Sequence, residues 1–548
     1  MSSMNIDPWK LRAMPAALRQ DYLRRGWWSD TTLGQMQLDN LAAKPDLEFR
    51  VWSPNKPQRT HFAEVRRLAL RFAAGLRARG IKPGDAVGVY VPNSVEGAIS
   101  MMSVPVVGAV IVPVAPYYGF RELKSILHRS HARVLVTSES PTGGRLDAIQ
   151  AMRAELPGLE DVYVMHCARD KLPAGMRLFE ELMADDAPAS LPPVDPDSVA
   201  MITFTSGTTS EPKGVVHTHR SICFEVRDHM RQMPFPPRPN LVPFPIAHAG
   251  GMLSGLFLPP LRGYAIHLMD NWDTGRALAA MREAGLTTGS GTQFFLAEIF
   301  AHPDTRPEDL ARIGVVAFGG GAVAGSFADQ CEAMGILGQR CYGSSEHPTV
   351  TMSRMDDSSA KRNHTDGRVM NSCEVRVVDE NDQDMAPDTP DELLSRDADL
   401  CAGYIDAPAN VQAFTPDGWY RSGDIVVQDA DGFVTVVDRV KDIIIRNGVK
   451  IGAPEVEDAL AALPNLLECA VIAVPDARTG ERTHAMLRLA PGTARPDLDA
   501  IRVHLEKLGL AKKKWPESLE YVDDFPRTPL GKIKKFELRN RLRAAAKQ

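Results

Sequence analysis

The sequence predicts an α/β protein with a large N-terminal domain and a small α+β C-terminal domain. Its 548 residues exceed what a single hydrophobic core usually fills. Helical periodicity alternates with apolar strands through most of the first 440 residues, and this alternation favours parallel sheets flanked by helices. A different pattern of helices and strands follows residue 439. Hydrophobic and charged contents of 44% and 24% are those of an ordinary globular protein and exclude a disordered chain.

The predicted elements of the large domain start with an amphipathic helix over residues 62–79. Further elements follow in alternation, namely a strand at 86–91, a helix at 94–107, and strands at 110–114, 134–137 and 199–204. Residues 372–437 instead contain short strands separated by Asp, Gly and Pro, which predicts a small β-rich subdomain. We therefore expect two parallel-type α/β sheets plus this subdomain within residues 1–438.

The C-terminal domain is expected to cover residues 439–548, with a helix at 454–463, a strand at 468–474 and a basic helix after residue 532. Residues 501–548 contain 13 Lys and Arg against 6 Asp and Glu. Two interpretations of this local positive charge remain open. It is the solvated face of a helix, or it belongs to a mobile lid that meets polyphosphate.

The sequence gives no sign of export or membrane insertion. No apolar run reaches the ~18 residues of a membrane span, and the N-terminus lacks a basic start followed by an apolar segment. We expect a cytoplasmic protein with no integral membrane segment and no nucleic-acid partner. Seven cysteines without CxxC spacing argue against a disulfide framework and against a structural zinc site.

A candidate phosphate-binding loop lies at residues 203–214, TFTSGTTSEPKG. Small residues let backbone N–H groups approach an anion, hydroxyl groups add donors, and Lys213 supplies a positive charge. The loop is not a Walker A motif, because Pro212 precedes the lysine and Gly214 follows it. A solvated linker is the alternative, which the buried strands expected on both sides disfavour.

Three further motifs place polar groups and glycines next to predicted strands. Gly319, Gly320 and Gly321 end an apolar strand and half-match a dinucleotide-binding fingerprint, but no acidic residue follows at the required distance. Residues 342–347, YGSSEH, combine an aromatic ring with a carboxylate that suits Mg²⁺. Asp424 follows a glycine turn. For each motif taken alone, an alternative stays open. The glycines would then form a tight turn without a ligand, and Glu346 and Asp424 would be surface carboxylates.

The order of these motifs, continued by residues 438–448 and 526–533, resembles the adenylate-forming superfamily of acyl-CoA synthetases, nonribosomal adenylation domains and luciferases. The resemblance covers residues 62–535. It implies ATP, Mg²⁺ and coenzyme A as cofactors. It also implies attack of a carboxylate on the α-phosphate of ATP, giving an acyl adenylate and pyrophosphate, followed by transfer of the acyl group to a thiol.

The resemblance assigns a role to each matching residue. For the nucleotide it implies the loop residues Thr205, Ser206, Gly207, Thr208, Thr209 and Lys213, the adenine shelf Gly319, Gly320, Gly321, Tyr342 and Gly343, the α-phosphate contact Ser345, and the ribose pair Asp424 and Arg439. Glu346 would bind Mg²⁺, and Lys532 would contact the carboxylate and the α-phosphate. Lys441 would be the hinge about which the C-terminal domain rotates. The rotation would withdraw Lys532 and present a second face of that domain, on which Arg446 and Gly448 contact CoA.

The implied acyl pocket consists of small and apolar residues beside a histidine. Its members are His248, Gly250, Gly251, Leu253, Thr292, Gln293 and Phe294. No Asp, Lys or Arg in this set would bind an amino group or a second carboxylate, so we expect a neutral acyl tail. Residues 21–28, 342–346 and 364–367 resemble medium-chain fatty acid and alicyclic CoA ligases most. We expect a medium-chain, alicyclic or aryl-alkanoic acid as substrate.

Two other functions remain open at this point. A stand-alone adenylation enzyme would load a carrier protein instead of CoA, and a nucleotide-binding regulatory protein would not turn over. The second is suggested by four positions, Ser210, Asp391, Asp397 and Asp438, where the family usually has glycine. A non-glycine residue would be strained there if a positive φ were required. A homodimer is also left as an expectation.

Overall fold

The computed structural model describes residues 9, 11–140, 143–188, 190–205, 212–232, 238–288, 290–291, 293–321, 323–440, 443–446, 449–476, 478–527 and 533–545. Several predicted site residues lie outside these ranges, namely Ser206, Gly207, Thr208, Thr209, Thr292, Lys441, Gly448 and Lys532.

An eight-stranded sheet carries the predicted phosphate loop. Its strands, in spatial order, are Gly403–Tyr404, Lys213–Thr218, Val199–Thr205, Val110–Pro113, Ala86–Tyr90, Ala132–Ser138, Asp161–Met165 and Arg177–Leu178. The strands from Val199–Thr205 to Arg177–Leu178 are parallel to their neighbours. Lys213–Thr218 and Gly403–Tyr404 join at the other edge as antiparallel strands. The sheet is therefore mixed where only parallel strands were expected.

Two more sheets complete the large α/β region. One contains Leu241–Val242, Ile266–Met269, Glu48–Trp52 and Gln58–His61. The other contains Ser290–Gly291, Val315–Phe318, Leu337–Tyr342, Thr351–Met352 and Arg368–Val369. In the second sheet the first three strands are parallel, so the segments after Phe318 and Tyr342 leave the same edge.

The β-rich segment forms a four-stranded antiparallel sheet. Its strands are Glu374–Val378, Asp391–Arg396, Tyr420–Gln428 and Val434–Arg439, in this order. The C-terminal region has its own sheet, built from Val449–Ile451, Ile444–Arg446, Gly480–Leu489, Leu466–Asp476 and Ser518–Tyr521.

Helices cover the sheets. The α-helices described are Ala16–Arg24, Leu33–Ala43, Phe62–Ala78, Val95–Ser103, Phe120–Arg129, Arg145–Arg153, His219–Phe224, Ala249–Met252, Leu258–Arg262, Thr274–Ala284, Gln293–Ala301, Pro307–Ile313, Gly325–Ala333, Ser359–His364, Ala407–Ala413, Ala453–Ala461, Leu498–Lys507 and Lys535–Ala545. Two π-helical turns, Glu225–His229 and Leu253–Phe257, continue helices near the site described below. Such turns are rare and occur frequently at functional sites.

The central strands send alternate side chains into two different cores. In the strand Ala86–Tyr90, Val87 and Val89 join one buried cluster, whereas Ala86 and Tyr90 join the cluster on the opposite face. A sheet buried on both faces explains why this strand reads as a continuous apolar run. Among the described residues, none of the helices combines the length and apolar character that crossing a membrane requires.

Candidate active site

A cleft of about 2000 Å³ lies where the predicted nucleotide motifs meet the C-terminal region. Its wall contains Thr205, Gly319, Gly320, Gly321, Gly343, Ser345, Glu346 and Arg439 from the nucleotide set, and His248, Gly250, Leu253, Gln293 and Phe294 from the acyl set. Residues separated by more than 230 positions in the chain are thus brought to one cavity.

Tyr342, Asp424 and Arg439 form a hydrogen-bonded group beside the cleft. The hydroxyl of Tyr342 donates to Oδ2 of Asp424 at 2.6 Å, and Nε of Arg439 lies 3.2 Å from Oδ1. Asp424 and Arg439 are paired across adjacent antiparallel strands, so the sheet register itself places the two charges opposite each other. Burial, followed by the Asp424 carboxylate, raises the pKa of Tyr342, which keeps its hydroxyl protonated as a donor.

Glu346 is held by a residue that the sequence did not single out. Its Oε1 accepts a hydrogen bond of 2.7 Å from the hydroxyl of Tyr404, and the Nζ of Lys213 lies 5.2 Å from the centre of the Tyr404 ring. Tyr404 therefore links the carboxylate to the lysine that ends the phosphate loop. The signal for Tyr404 was its position after Gly403 in an apolar segment, which carries no distinctive chemistry without the fold.

The loop that carries Ser345 and Glu346 has a tight turn at its base. A Cβ on Gly343 would lie 1.9 Å from the backbone oxygen of Pro348, so only glycine fits there. The backbone oxygen of Ser345 lies 2.7 Å from Nε2 of the buried His217. The loop is thereby fixed at both its turn and its polar end.

The glycines after strand Val315–Phe318 form an open shelf. Gly320 has a φ of 78°, in the region that favours glycine, and a Cβ on Gly319 would lie 2.7 Å from Sγ of Cys341. A flat ligand can therefore approach this backbone directly.

The acyl side of the cleft starts at the short helix Ala249–Met252. Nδ1 of His248 accepts a hydrogen bond from the backbone N–H of Gly250 at 3.2 Å. Gly251 is not among the residues that line the cleft, and its assignment to the acyl pocket stays a prediction. A Cβ there would lie 2.1 Å from the backbone oxygen of Pro245, so Gly251 provides close packing behind the pocket wall.

The cleft also contains a polar side chain that the sequence did not predict. Glu225 and Thr349 both line it, and the Thr349 hydroxyl donates to Oε1 of Glu225 at 2.8 Å. Burial raises the pKa of Glu225. The wall of the cleft is thus less uniformly apolar than the expected acyl pocket.

The C-terminal region closes one side of the cleft through its helix Ala453–Ala461. Oδ1 of Asp458 accepts a hydrogen bond of 3.2 Å from the hydroxyl of Ser326. Oδ2 of Asp438 accepts a hydrogen bond of 2.9 Å from the backbone N–H of Ala453. The guanidinium of Arg527 lies 5.6 Å from the centre of the Phe294 ring. Asp438, which stands where glycine was expected, therefore connects the antiparallel sheet to the helix Ala453–Ala461.

Arg446 lies away from the cleft in this conformation. It forms an ion pair with Glu517 inside the C-terminal region, at 2.8 Å from Nε to Oε2. None of the three described aspartates at positions where glycine was expected, Asp391, Asp397 and Asp438, has a positive φ. These positions are consequently free of the backbone strain considered above.

Comparisons with known proteins agree with this arrangement. The model of the family described as AMP-binding enzyme matches residues 38–405, and that of the AMP-binding enzyme C-terminal domain matches residues 455–532. The medium-chain fatty-acid–CoA ligase of Escherichia coli K12 is 30% identical, over 95% of this chain and 92% of its own length. A propanoyl:CoA ligase of Rhodococcus jostii, whose named acyl group carries a methyl-dioxo-octahydroindenyl ring, is 30% identical over 88% and 93%.

The fold agrees as well. The crystal structure of the anthranilate CoA ligase AuaEII in complex with anthranoyl-AMP superposes with a TM-score of 0.85, over 94% of this chain and 98% of that chain, at 21% identity. The family match spans more than half of the chain, and the motifs that it requires meet in one cleft. The chain therefore belongs to the AMP-binding enzyme family and is an adenylate-forming acid:CoA ligase that produces AMP.

Proposed function

We propose that the substrate is a medium-chain, alicyclic or aryl-alkanoic acid, which is activated as its adenylate and transferred to CoA. One observation carries this proposal. The shelf of Gly319 to Gly321 and the Tyr342–Asp424–Arg439 group adjoin a pocket lined by Leu253 and Phe294 in a single cleft. An acyl tail and a nucleotide could occupy this cleft together. The two named CoA ligases above support the same acid class.

In this proposal the nucleotide is held by groups whose charges oppose its own. Asp424 accepts hydrogen bonds from the ribose hydroxyls, and Arg439 orients the Asp424 carboxylate. Lys213 and the loop after Thr205 contact the β- and γ-phosphates. Glu346 supplies a hard oxygen ligand that fits Mg²⁺. Bound there, Mg²⁺ would neutralise phosphate charge. Lys532 is proposed to contact the α-phosphate and the acid, where negative charge accumulates during attack.

We further propose that residues 439–548 form a mobile domain with its hinge at Lys441. Arg527 and Ile533, on either side of the segment that contains Lys532, both line the cleft. This supports an adenylation role for the present arrangement. Arg446 lies outside the cleft, as expected if it meets CoA, together with Gly448, only after rotation. A homodimer and a cytoplasmic location remain proposals beside these.

The substrate proposal is tested by a two-step assay. An acid-dependent exchange between pyrophosphate and ATP reports the first half-reaction, and CoA-dependent release of AMP reports the second. We expect both with linear C6 to C12, cyclohexane or arylpropionic acids, with the best acid at least about tenfold above acetate in kcat/KM. Exchange without thioester formation would contradict the CoA step. A preference for a phosphopantetheinyl carrier protein would establish the alternative acceptor.

Changing Asp424 to Asn should weaken ATP binding. The substitution keeps the shape but removes the charge that pairs with Arg439 and accepts the ribose hydroxyls. Hydrogen bonds to charged groups contribute about 1.5–3 kcal/mol, so we expect KM for ATP to rise by about 10- to 100-fold with a smaller change in kcat. Asp431→Asn, on an exposed turn near the same sheet, is the matched control. An unchanged KM for ATP in Asp424→Asn would refute the ribose role.

A further inference from the structure

A buried cluster of metal-binding side chains lies behind the loop that carries Glu346. It contains His347 from that loop, Cys373 before the strand Glu374–Val378, and Asp397 and Asp399 after the strand Asp391–Arg396. None of the four is exposed by more than 9%. The adenylation chemistry proposed above uses none of them.

One ligand atom from each of His347, Cys373 and Asp397 lies within 4.8 Å of the other two. Nε2 of His347 lies 3.9 Å from Sγ of Cys373 and 3.1 Å from Oδ1 of Asp399. A cation about 2.0 Å from nitrogen and oxygen and 2.3 Å from sulfur separates its ligand atoms by comparable distances. His347, Cys373 and Asp397 are thus close enough to share one cation, and Asp399 lies next to the ring of His347.

Asp399 adds a second buried carboxylate next to this group. Its Oδ1 lies 3.1 Å from Nε2 of His347, and by hydrogen-bond geometry this oxygen accepts no bond from the described residues. A cation bound to Nε2 of His347 would lie close to this carboxylate and would help to balance its buried charge.

Neighbouring groups orient His347 and Asp397 as the neighbours of metal ligands usually do. Nδ1 of His347 lies 2.8 Å from the hydroxyl of Ser395, which leaves Nε2 to face the cluster. The hydroxyl of Ser372 donates to Oδ2 of Asp397 at 2.8 Å, and Nε2 of His229 lies 3.2 Å from the same oxygen.

We propose that His347, Cys373 and Asp397, with Asp399 beside His347, bind a zinc ion that fixes the Glu346 loop to the antiparallel sheet. The mixture of thiolate, imidazole and carboxylate ligands suits Zn²⁺ rather than Mg²⁺. Burial, followed by Asp397 and Asp399, raises the pKa of the Cys373 thiol, so metal binding must displace its proton to solvent.

The absence of CxxC spacing argued against a structural zinc site in the sequence. The structure shows why that argument does not reach this cluster. Its members are 26, 24 and 2 positions apart and come from three separate segments, so only the fold brings them together.

The test is the zinc content of the full-length enzyme, purified without chelator from cells grown with zinc. We expect about one zinc ion per chain, with one sulfur ligand at about 2.3 Å by X-ray absorption. Cys373→Ser and Asp397→Asn should lose the metal, whereas Cys331→Ser, which alters another buried free cysteine, should retain it. Ser395→Ala should weaken zinc binding by about 10- to 100-fold.

Cobalt substitution covers the case in which a variant fails to fold. Wild-type protein that is stripped of metal and reloaded with Co²⁺ should show a thiolate-to-cobalt charge-transfer band. Full-length enzyme with no zinc and no such band would overturn the proposal, leaving a metal-free ion network. Zinc content that is unchanged in a folded Cys373→Ser variant would overturn it equally. Neither outcome depends on acid:CoA ligase activity.

Discussion

Replacing Lys532 by Ala is expected to reduce acid-dependent ATP/pyrophosphate exchange by about 10²- to 10³-fold, because the charge that we propose at the reacting phosphate would be lost. Thioester formation from a supplied acyl adenylate should fall by less than about threefold. The split follows from the proposed rotation, which withdraws Lys532 before the thiol attacks. Both half-reactions are measured with the same acid.

The matched control for this variant is Lys512→Ala. Lys512 is in the same C-terminal region, and its side chain is 75% exposed and paired with Glu506. Surface ion pairs of this kind contribute little, so both half-reactions should remain close to wild type. An equal loss of both half-reactions in Lys532→Ala would contradict the proposed role, because it would mean that the lysine serves folding or both steps alike.

Changing Glu346 to Gln should lower exchange by about 10²-fold or more at saturating acid. The amide keeps the shape and can still accept from Tyr404, but it removes the negative charge that suits a divalent cation. The dependence on Mg²⁺ concentration should shift to higher values in the same variant. Titration of exchange against Mg²⁺ measures both effects.

Tyr404→Phe separates charge from geometry. It removes the 2.7 Å hydrogen bond to Oε1 but leaves the Glu346 carboxylate in place. Because the carboxylate keeps its charge, we expect the lower end of the range for a hydrogen bond to a charged group, about 1.5 kcal/mol or about tenfold, which is less than the fall expected in Glu346→Gln. If Tyr404→Phe were as severe as Glu346→Gln, the carboxylate would act through its position in the network rather than on the cation.

The sequence predicted the elements that have strong local signals. The helix Phe62–Ala78 and the strand Val199–Thr205 differ from their predicted bounds by one residue at the C-terminal end. Their apolar periodicity is set by the core that they contact. The antiparallel edge at Gly403–Tyr404 was not predicted, because two residues are too short for a periodic pattern and their pairing depends on a distant strand.

In the candidate site, too, the sequence indicated residues in distinctive motifs and missed residues that only the fold brings together. Motifs with several distinctive residues in one stretch were found, whereas Tyr404 and the buried His347–Cys373–Asp397–Asp399 cluster were not. His347 and Asp397 were noted in the sequence for other reasons, and nothing in the sequence near Cys373 or Asp399 indicates that the four lie together. Gly251 was assigned to the acyl pocket through the resemblance of residues 243–251, but its close packing against Pro245 depends on the local turn of the backbone and is not visible in the sequence.

Asp438 and Asp458 affect the equilibrium between the two proposed orientations of the C-terminal domain. Asp438 accepts one hydrogen bond from Ala453 and Asp458 accepts two from Ser326, and these polar contacts between the C-terminal helix and the large region can be replaced by water. A contact of this kind contributes about 1 kcal/mol, or about a fivefold change in an equilibrium constant. Release of pyrophosphate could therefore shift the balance without melting any core. Substrate occupancy, rather than a large apolar interface, would then set the timing of each half-reaction.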